Sequence, residues 1–82
     1  MGKIKGWRRT EDKFKKTICY LNRNKEKNTR TRIEIHPSYS YGWNVFIVRN
    51  SFVDDVLSNK TFTNKKEALA HAMKFMRGHP NG

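Results

Sequence analysis

The chain has one cysteine, Cys19, and two prolines, and nowhere do about 18 apolar residues follow one another, the length a membrane-crossing helix needs. A single cysteine cannot close an internal disulfide, and small secreted domains usually depend on several, so the expected setting is intracellular, cytoplasmic or nucleoid-associated. The opening Met-Gly-Lys-Ile-Lys-Gly-Trp-Arg-Arg lacks the apolar stretch of a signal peptide. Gly6 stands where a myristoylation signal requires Ser or Thr, so no lipid anchor and no membrane partner are expected. Catalytic motifs are missing too. There is no glycine-rich phosphate loop, and no Ser-His-Asp set or pair of catalytic carboxylates can be assembled. Asp54 and Asp55 are adjacent in what reads as a turn, which sends their side chains apart. His36, His71 and His79 fall on a strand, a helix and a tail, without the short spacings of metal ligands. The expectation is a protein that is not an enzyme, with no metal and no cofactor.

Acidic residues are also scarce. Seven Asp and Glu face eighteen Lys and Arg, for a formal charge of +11. Residues 1–32 hold twelve of the basic residues and three acids, Glu11, Asp12 and Glu26, so the amino-terminal part carries +9 and the rest +2. An excess this lopsided points to a polyanionic partner. With 82 residues the chain makes one small domain, and its ten aromatics supply much of the area that such a core can bury.

Residues 1–13 are basic and show no period, which predicts a flexible or loosely docked arm, with residues 14–82 forming a single domain. Trp7 in the arm either packs against that domain as a staple, the reading a lone large aromatic near a terminus favours, or stacks on a base. Phe14 to Leu21 alternates loosely as a strand, and Asn22 to Asn28, without an apolar residue, reads as an exposed hairpin loop. Thr29 to His36 alternates cleanly. Thr31, Ile33 and Ile35 share one side and Arg30, Arg32, Glu34 and His36 the other, the signature of a half-buried strand.

Pro37 ends that strand, and a turn through Tyr39 and Tyr41 leads to a third, Trp43 to Arg49, apolar on both sides and therefore interior. Asn50 to Asp55 turns the chain, and Val56 to Phe62 is a shorter fourth strand. A helix follows to about Arg77, capped by Thr63 or Asn64, with Glu67 three residues after Asn64 in the capping-box spacing. Leu69, Ala72, Met73 and Met76 form its apolar stripe, widened by Ala68 and Phe75. Gly78 suits a left-handed cap, and Pro80 forbids continuation. The fold class is α+β: a three- to four-stranded antiparallel sheet with one carboxy-terminal helix packed on one face.

If the helix covers Thr31, Ile33 and Ile35, then Arg30, Arg32 and His36 point to an open face, which Arg23, Lys25 and Lys27 extend at the hairpin. Arginines two residues apart on a strand lie about 6.6–7 Å apart, close to the spacing of phosphates along one DNA strand. Lys3, Lys5, Arg8 and Arg9 of the arm, with Arg49, complete the basic candidates. Tyr39, Tyr41, Trp43 and Phe46 are candidates to stack on unpaired bases where they reach the open face. Cys19 reads as a small strand residue of the interior.

Residues 29–77 resemble the AP2/ERF DNA-binding domain of plants and its relatives in mobile-element integrases. The likeness rests on Thr61-Phe62-Thr63-Asn64-Lys65-Lys66-Glu67-Ala68 running into Leu69 and Ala72, and on Gly42-Trp43 opening a strand that closes at Arg49. It implies a three-stranded sheet that reads the DNA major groove, with Arg30 and Arg32 on the reading strand and a helix behind. The turn from Pro37 to Tyr41, the pair Asp54 and Asp55, and a preceding additional strand depart from that pattern. The ending Phe75-Met76-Arg77-Gly78-His79-Pro80-Asn81-Gly82 is similar to that of small uncharacterised archaeal proteins, a likeness that implies a fold and no activity.

The expected function is nucleic-acid binding, with duplex DNA favoured, through the sheet face and the arm by phosphate neutralisation. RNA or a ribosome-associated role is the first alternative, and a protein-interaction module docking an acidic partner is an alternative of another class. A monomer or weak homodimer fits these readings.

Overall fold

A computed structural model describes residues 6–12, 16–38, 42–51 and 54–80. Five strands, β1 (Arg8–Asp12), β2 (Thr17–Asn24), β3 (Thr29–Pro37), β4 (Trp43–Asn50) and β5 (Asp54–Phe62), precede one helix, α1 (Lys65–Gly78). The strands pair in chain order as one antiparallel sheet, each with the next. The α+β arrangement of sheet and carboxy-terminal helix agrees with the sequence, with one strand more than the three or four expected.

The additional strand is β1, inside the segment read as an arm. Arg8 to Asp12 pair with Leu21 to Thr17 along the edge of the sheet. Trp7 just before it is buried at 7% exposure, packs edge-on against Phe75 of α1, and donates from Nε1 to the His79 carbonyl at 3.0 Å. It is the staple that the sequence suggested, and it ties the start of the sheet to the end of the helix.

A second tie lies beside it. Asn22, expected in an exposed loop, belongs to β2 and is buried at 4% exposure, where its Nδ2 donates to the Pro80 carbonyl at 2.9 Å. The β2–β3 hairpin is correspondingly tighter than expected: pairing continues to Asn24 and Thr29, and residues 25–28 make the turn. Two features close it. Asn28 adopts a left-handed conformation at φ 53°, and the Lys27 N–H donates to Asn24 Oδ1 at 3.0 Å. Asp54 and Asp55 also differ from expectation. They lie in β5, paired with Asn50 and Arg49, and Asp54 Oδ1 accepts from Asn50 Nδ2.

The core forms between the sheet and α1. Ile18 and Tyr20 of β2, Ile33 and Ile35 of β3, and Val45 and Ile47 of β4 meet Ala68, Ala72 and Met76 of the helix, with Trp7 closing one end. Alanine at two adjacent turns lets the helix backbone approach the sheet, and the larger Leu69, Met73 and Phe75 flank it, half-buried. The helix starts as its sequence predicts: Asn64 Oδ1 accepts from the Glu67 N–H at 2.8 Å. Its end differs. Gly78 is the last helical residue and is not left-handed; His79 is the cap, its N–H donating to the Met76 carbonyl at 3.2 Å.

Candidate nucleic-acid interface

Side chains opposite one another in a sheet share a side, so the register sorts every strand residue by face. On β3, Thr31, Ile33 and Ile35 are buried under α1, which leaves Arg30, Arg32, Glu34 and His36 on the side away from the helix. From these the sorting spreads in both directions. Arg23 is opposite Arg30 and Leu21 opposite Arg32; beyond Leu21, Arg8 joins from β1. On the other side Asn50 is opposite Arg30, Val48 opposite Arg32, and Phe46 opposite Glu34. A bulge at Leu57 resets the phase of β5, so that Val56 aligns with Val48 and Asn59 with Phe46.

The result is an open face with two unlike ends. At one end Arg8, Arg23, Arg30 and Arg32, all exposed, gather from three strands. Asp54 is at this end too, at the far edge of the sheet beside Asn50. In the register row of Arg32 stand three apolar residues: Leu21 at 39% exposure between Arg8 and Arg32, and beyond Arg32 the buried Val48 at 4% and Val56 at 55%. Leu21 and Val48, together with Arg30, Arg32 and Asn50, line a shallow depression. At the other end, Glu34, His36, Asn44, Phe46 and Asn59 line a second depression. Arg32 and Glu34 connect the two ends, Nε to Oε1, at 3.7 Å.

The structure brings together part of the basic set proposed from sequence. Arg8, Arg23, Arg30, Arg32 and His36 belong to the open face, and Lys25 and Lys27 lie exposed on the adjoining hairpin turn. Arg9 does not join them. It is opposite Tyr20, on the helix side, with its guanidinium carbon 5.9 Å from the Tyr20 ring centre and an Nη2 3.7 Å from Glu11. Trp43 and Arg49 are likewise on the helix side. Trp43 packs against the core beneath the Lys65 ammonium, which lies 5.4 Å from the ring centre, and Arg49 pairs in register with Thr31 and Asp55. Of the aromatic candidates, therefore, Phe46 is the one the register puts on the open face. Lys3, Lys5, Tyr39 and Tyr41 lie outside the described residues.

Cys19 is half-buried on the open face, between Thr10 and Glu34 in register. Burial and the nearby Glu34 carboxylate raise its thiol above the usual range, against smaller opposing effects of Thr10 and Arg32, so the thiolate that nucleophilic chemistry requires is disfavoured. Among the described residues, no three His, Cys, Asp or Glu side chains group as a metal ion would need, and no helix is long and apolar enough to cross a membrane.

The apolar row and the carboxamides of β4 and β5 were missed in the sequence. Leu21 alternates with Asn22 and could have been found from β2 alone, but Val48 and Val56 required the phase of β4 and the bulge in β5. Comparison with protein families, with curated proteins and with solved structures gave no match.

Proposed function

We propose that the protein binds nucleic acid through the open face of its sheet, with the arginine end holding phosphates. The observation that carries this reading is the convergence of Arg8, Arg23, Arg30 and Arg32 from three strands onto one end of the face the helix leaves uncovered. Arginine forks match phosphate oxygens, and on rigid paired strands little ordering is required when a polyanion docks.

The form of nucleic acid follows from width. Five strands about 4.8 Å apart span about 19 Å from edge to edge, whereas the major groove of duplex DNA is about 12 Å wide and admits a helix or a two-stranded ribbon. The flat insertion that the AP2/ERF resemblance implies for three strands meets an obstacle here, because β2 and β1 extend the sheet beyond β3. An unpaired strand has no such limit. It can lie across the sheet with its phosphates on the arginines and its bases against Leu21, Val56 and Phe46. We therefore favour single-stranded nucleic acid over the duplex expected from the sequence.

The direct test is fluorescence anisotropy with single-stranded and duplex oligonucleotides of equal length at fixed salt. Single strands should bind more tightly, and Arg30→Ala with Arg32→Ala should weaken binding at an unchanged melting temperature. If neither form binds at physiological salt, an acidic protein partner becomes the better occupant for the face.

A further inference from the structure

The second depression contains a combination that phosphate binding does not explain. A carboxylate on a face meant for a polyanion opposes binding, yet Glu34 lies in the middle of that face, on the central strand and two residues from Arg32. In register across β3, β4 and β5 the row reads Glu34, Phe46, Asn59. An acceptor and a carboxamide thus flank an aromatic ring on the side of the sheet without a helix. His36, Pro37, Ser38 and Asn44 complete the lining.

We infer that this depression is a base-recognition site for an unpaired guanine; the inference rests on the nucleic-acid reading above and assigns a ligand to the end of the face that lacks arginine. Two strand spacings, about 10 Å, separate Glu34 from Asn59 across the sheet. That leaves room for one base on Phe46, with its Watson–Crick edge toward Glu34. Glu34 offers two parallel acceptor oxygens, and guanine presents two parallel donors, N1–H and the N2 amino group, on its Watson–Crick edge. Adenine, cytosine and uracil present there a single donor group, the exocyclic amine or N3–H, so each leaves one carboxylate oxygen unmatched.

The acceptors O6 and N7 lie on the adjoining edge of guanine, at roughly a right angle to the edge that carries N1–H and the N2 amino group. Asn59 offers a donor on the far side of Phe46. Its Oδ1 already accepts from Asn44 Nδ2 at 2.9 Å, which fixes the amide with its nitrogen as the outward donor. Asn44 Nδ2 is held in turn by Thr61 Oγ1 at 3.2 Å, so the carboxamide pair is oriented before a ligand arrives. Arg32 is one pleat repeat from Glu34 along β3, about 7 Å between their Cα atoms, so a phosphate on Arg32 would neighbour a base on Phe46. The 3.7 Å contact between Arg32 Nε and Glu34 Oε1 leaves the carboxylate oxygens without a close hydrogen bond from Arg32.

The test uses the full chain and ten-nucleotide oligouridines that carry guanine, adenine, cytosine or uracil at one central position, read by fluorescence anisotropy at fixed salt. The guanine oligomer should bind about 5- to 100-fold more tightly than the other three, the discrimination a matched bidentate pair confers. Glu34→Gln should reduce that preference to about twofold or less, with affinity for the other three unchanged or slightly higher because a negative charge has gone. The same preference should hold in the deoxyribose series, since every named contact is to the base.

Equal binding of all four oligomers by the native chain, or guanine preference surviving in Glu34→Gln, overturns the inference. So does a preference confined to the ribose series, which would transfer recognition to the sugar. If the four bind equally while Arg30→Ala with Arg32→Ala still weakens them, the guanine site fails and the nucleic-acid reading stands. If no oligomer binds, both fail.

Discussion

Salt dependence tests whether affinity comes from the arginine end of the sheet or from charge spread over the whole surface. Each phosphate neutralised releases counterions, and for single strands the slope of log K against log salt is about −0.7 per contact. Arg8, Arg23, Arg30 and Arg32 then predict a slope of about −2.8, and affinity falling about 50-fold between 50 and 200 mM salt. Arg30→Ala with Arg32→Ala should halve the slope to about −1.4, leaving a fall of about sevenfold. The control is Lys66→Ala with Lys74→Ala, which removes two exposed cations from the helix and lowers the formal charge from +11 to the same +9. Its slope should stay near −2.8. Anisotropy titrations of one labelled single strand at four salt concentrations measure all three proteins. Equal slopes for the two double variants would refute the face-specific reasoning, and a nearly flat slope for the native chain would refute phosphate binding altogether.

Three predictions concern the scaffold. Ile33→Ala, at a position fully buried between sheet and helix, should cost about 2–4 kcal/mol in urea denaturation, and a loss of a few tenths would mean the sheet face is misassigned. Gly6→Ala should cost about 2–4 kcal/mol, from the positive φ of 85° and a Cβ that would meet the Pro80 carbonyl oxygen at 2.1 Å, whereas Gly78→Ala, with open space around it, should be neutral or stabilising. His71 is held below its usual pKa by burial and then by Lys60 and Lys74, so the folded chain takes up its proton less readily than the unfolded chain does. Its effect on stability is absent at high pH and becomes a loss as pH falls below about 6.5; the urea midpoint should drop less between pH 7 and pH 5.5 in His71→Leu than in the native chain.

What could be read from the sequence was the part in which one face is buried and the other is not. β3 declared its faces because Thr31, Ile33 and Ile35 alternate with charged residues, and α1 declared its start because Asn64 and Glu67 have capping spacing. β1 has no such signal. Arg-Arg-Thr-Glu-Asp contains no apolar residue, and the strand forms through backbone pairing at an edge beside the Trp7 staple, so it read as an arm. β4 showed that it was a strand and concealed its phase, since Trp43, Val45 and Ile47 are as apolar as Phe46 and Val48. Consequently Trp43 and Arg49 were grouped with the sheet arginines although they face the helix. Asn22 read as loop because its burial depends on the Pro80 carbonyl, 58 residues away.

The same parity that builds the core also builds the interface. Because side chains alternate, Arg30 and Arg32 can reach the open face only while Thr31 and Ile33 are buried, and a slip of β3 by one residue would exchange the two sets. The arginine of β1 is secured differently, since nothing in its own strand is apolar. Arg8 follows Trp7 directly, and Trp7 is fixed by Phe75 and the His79 carbonyl, next to Asn22 and the Pro80 carbonyl. The end of the chain thus sets the position of an arginine near its beginning. Weakening the contact by Trp7→Ala should therefore act on two quantities together: stability, by the loss of a large buried side chain worth about 3–5 kcal/mol, and the salt slope, which should flatten by about 0.7 as Arg8 leaves the face. Arg8→Ala should reproduce the second change without the first, and a Trp7→Ala variant that loses stability at an unaltered slope would show that Arg8 contributes nothing to binding.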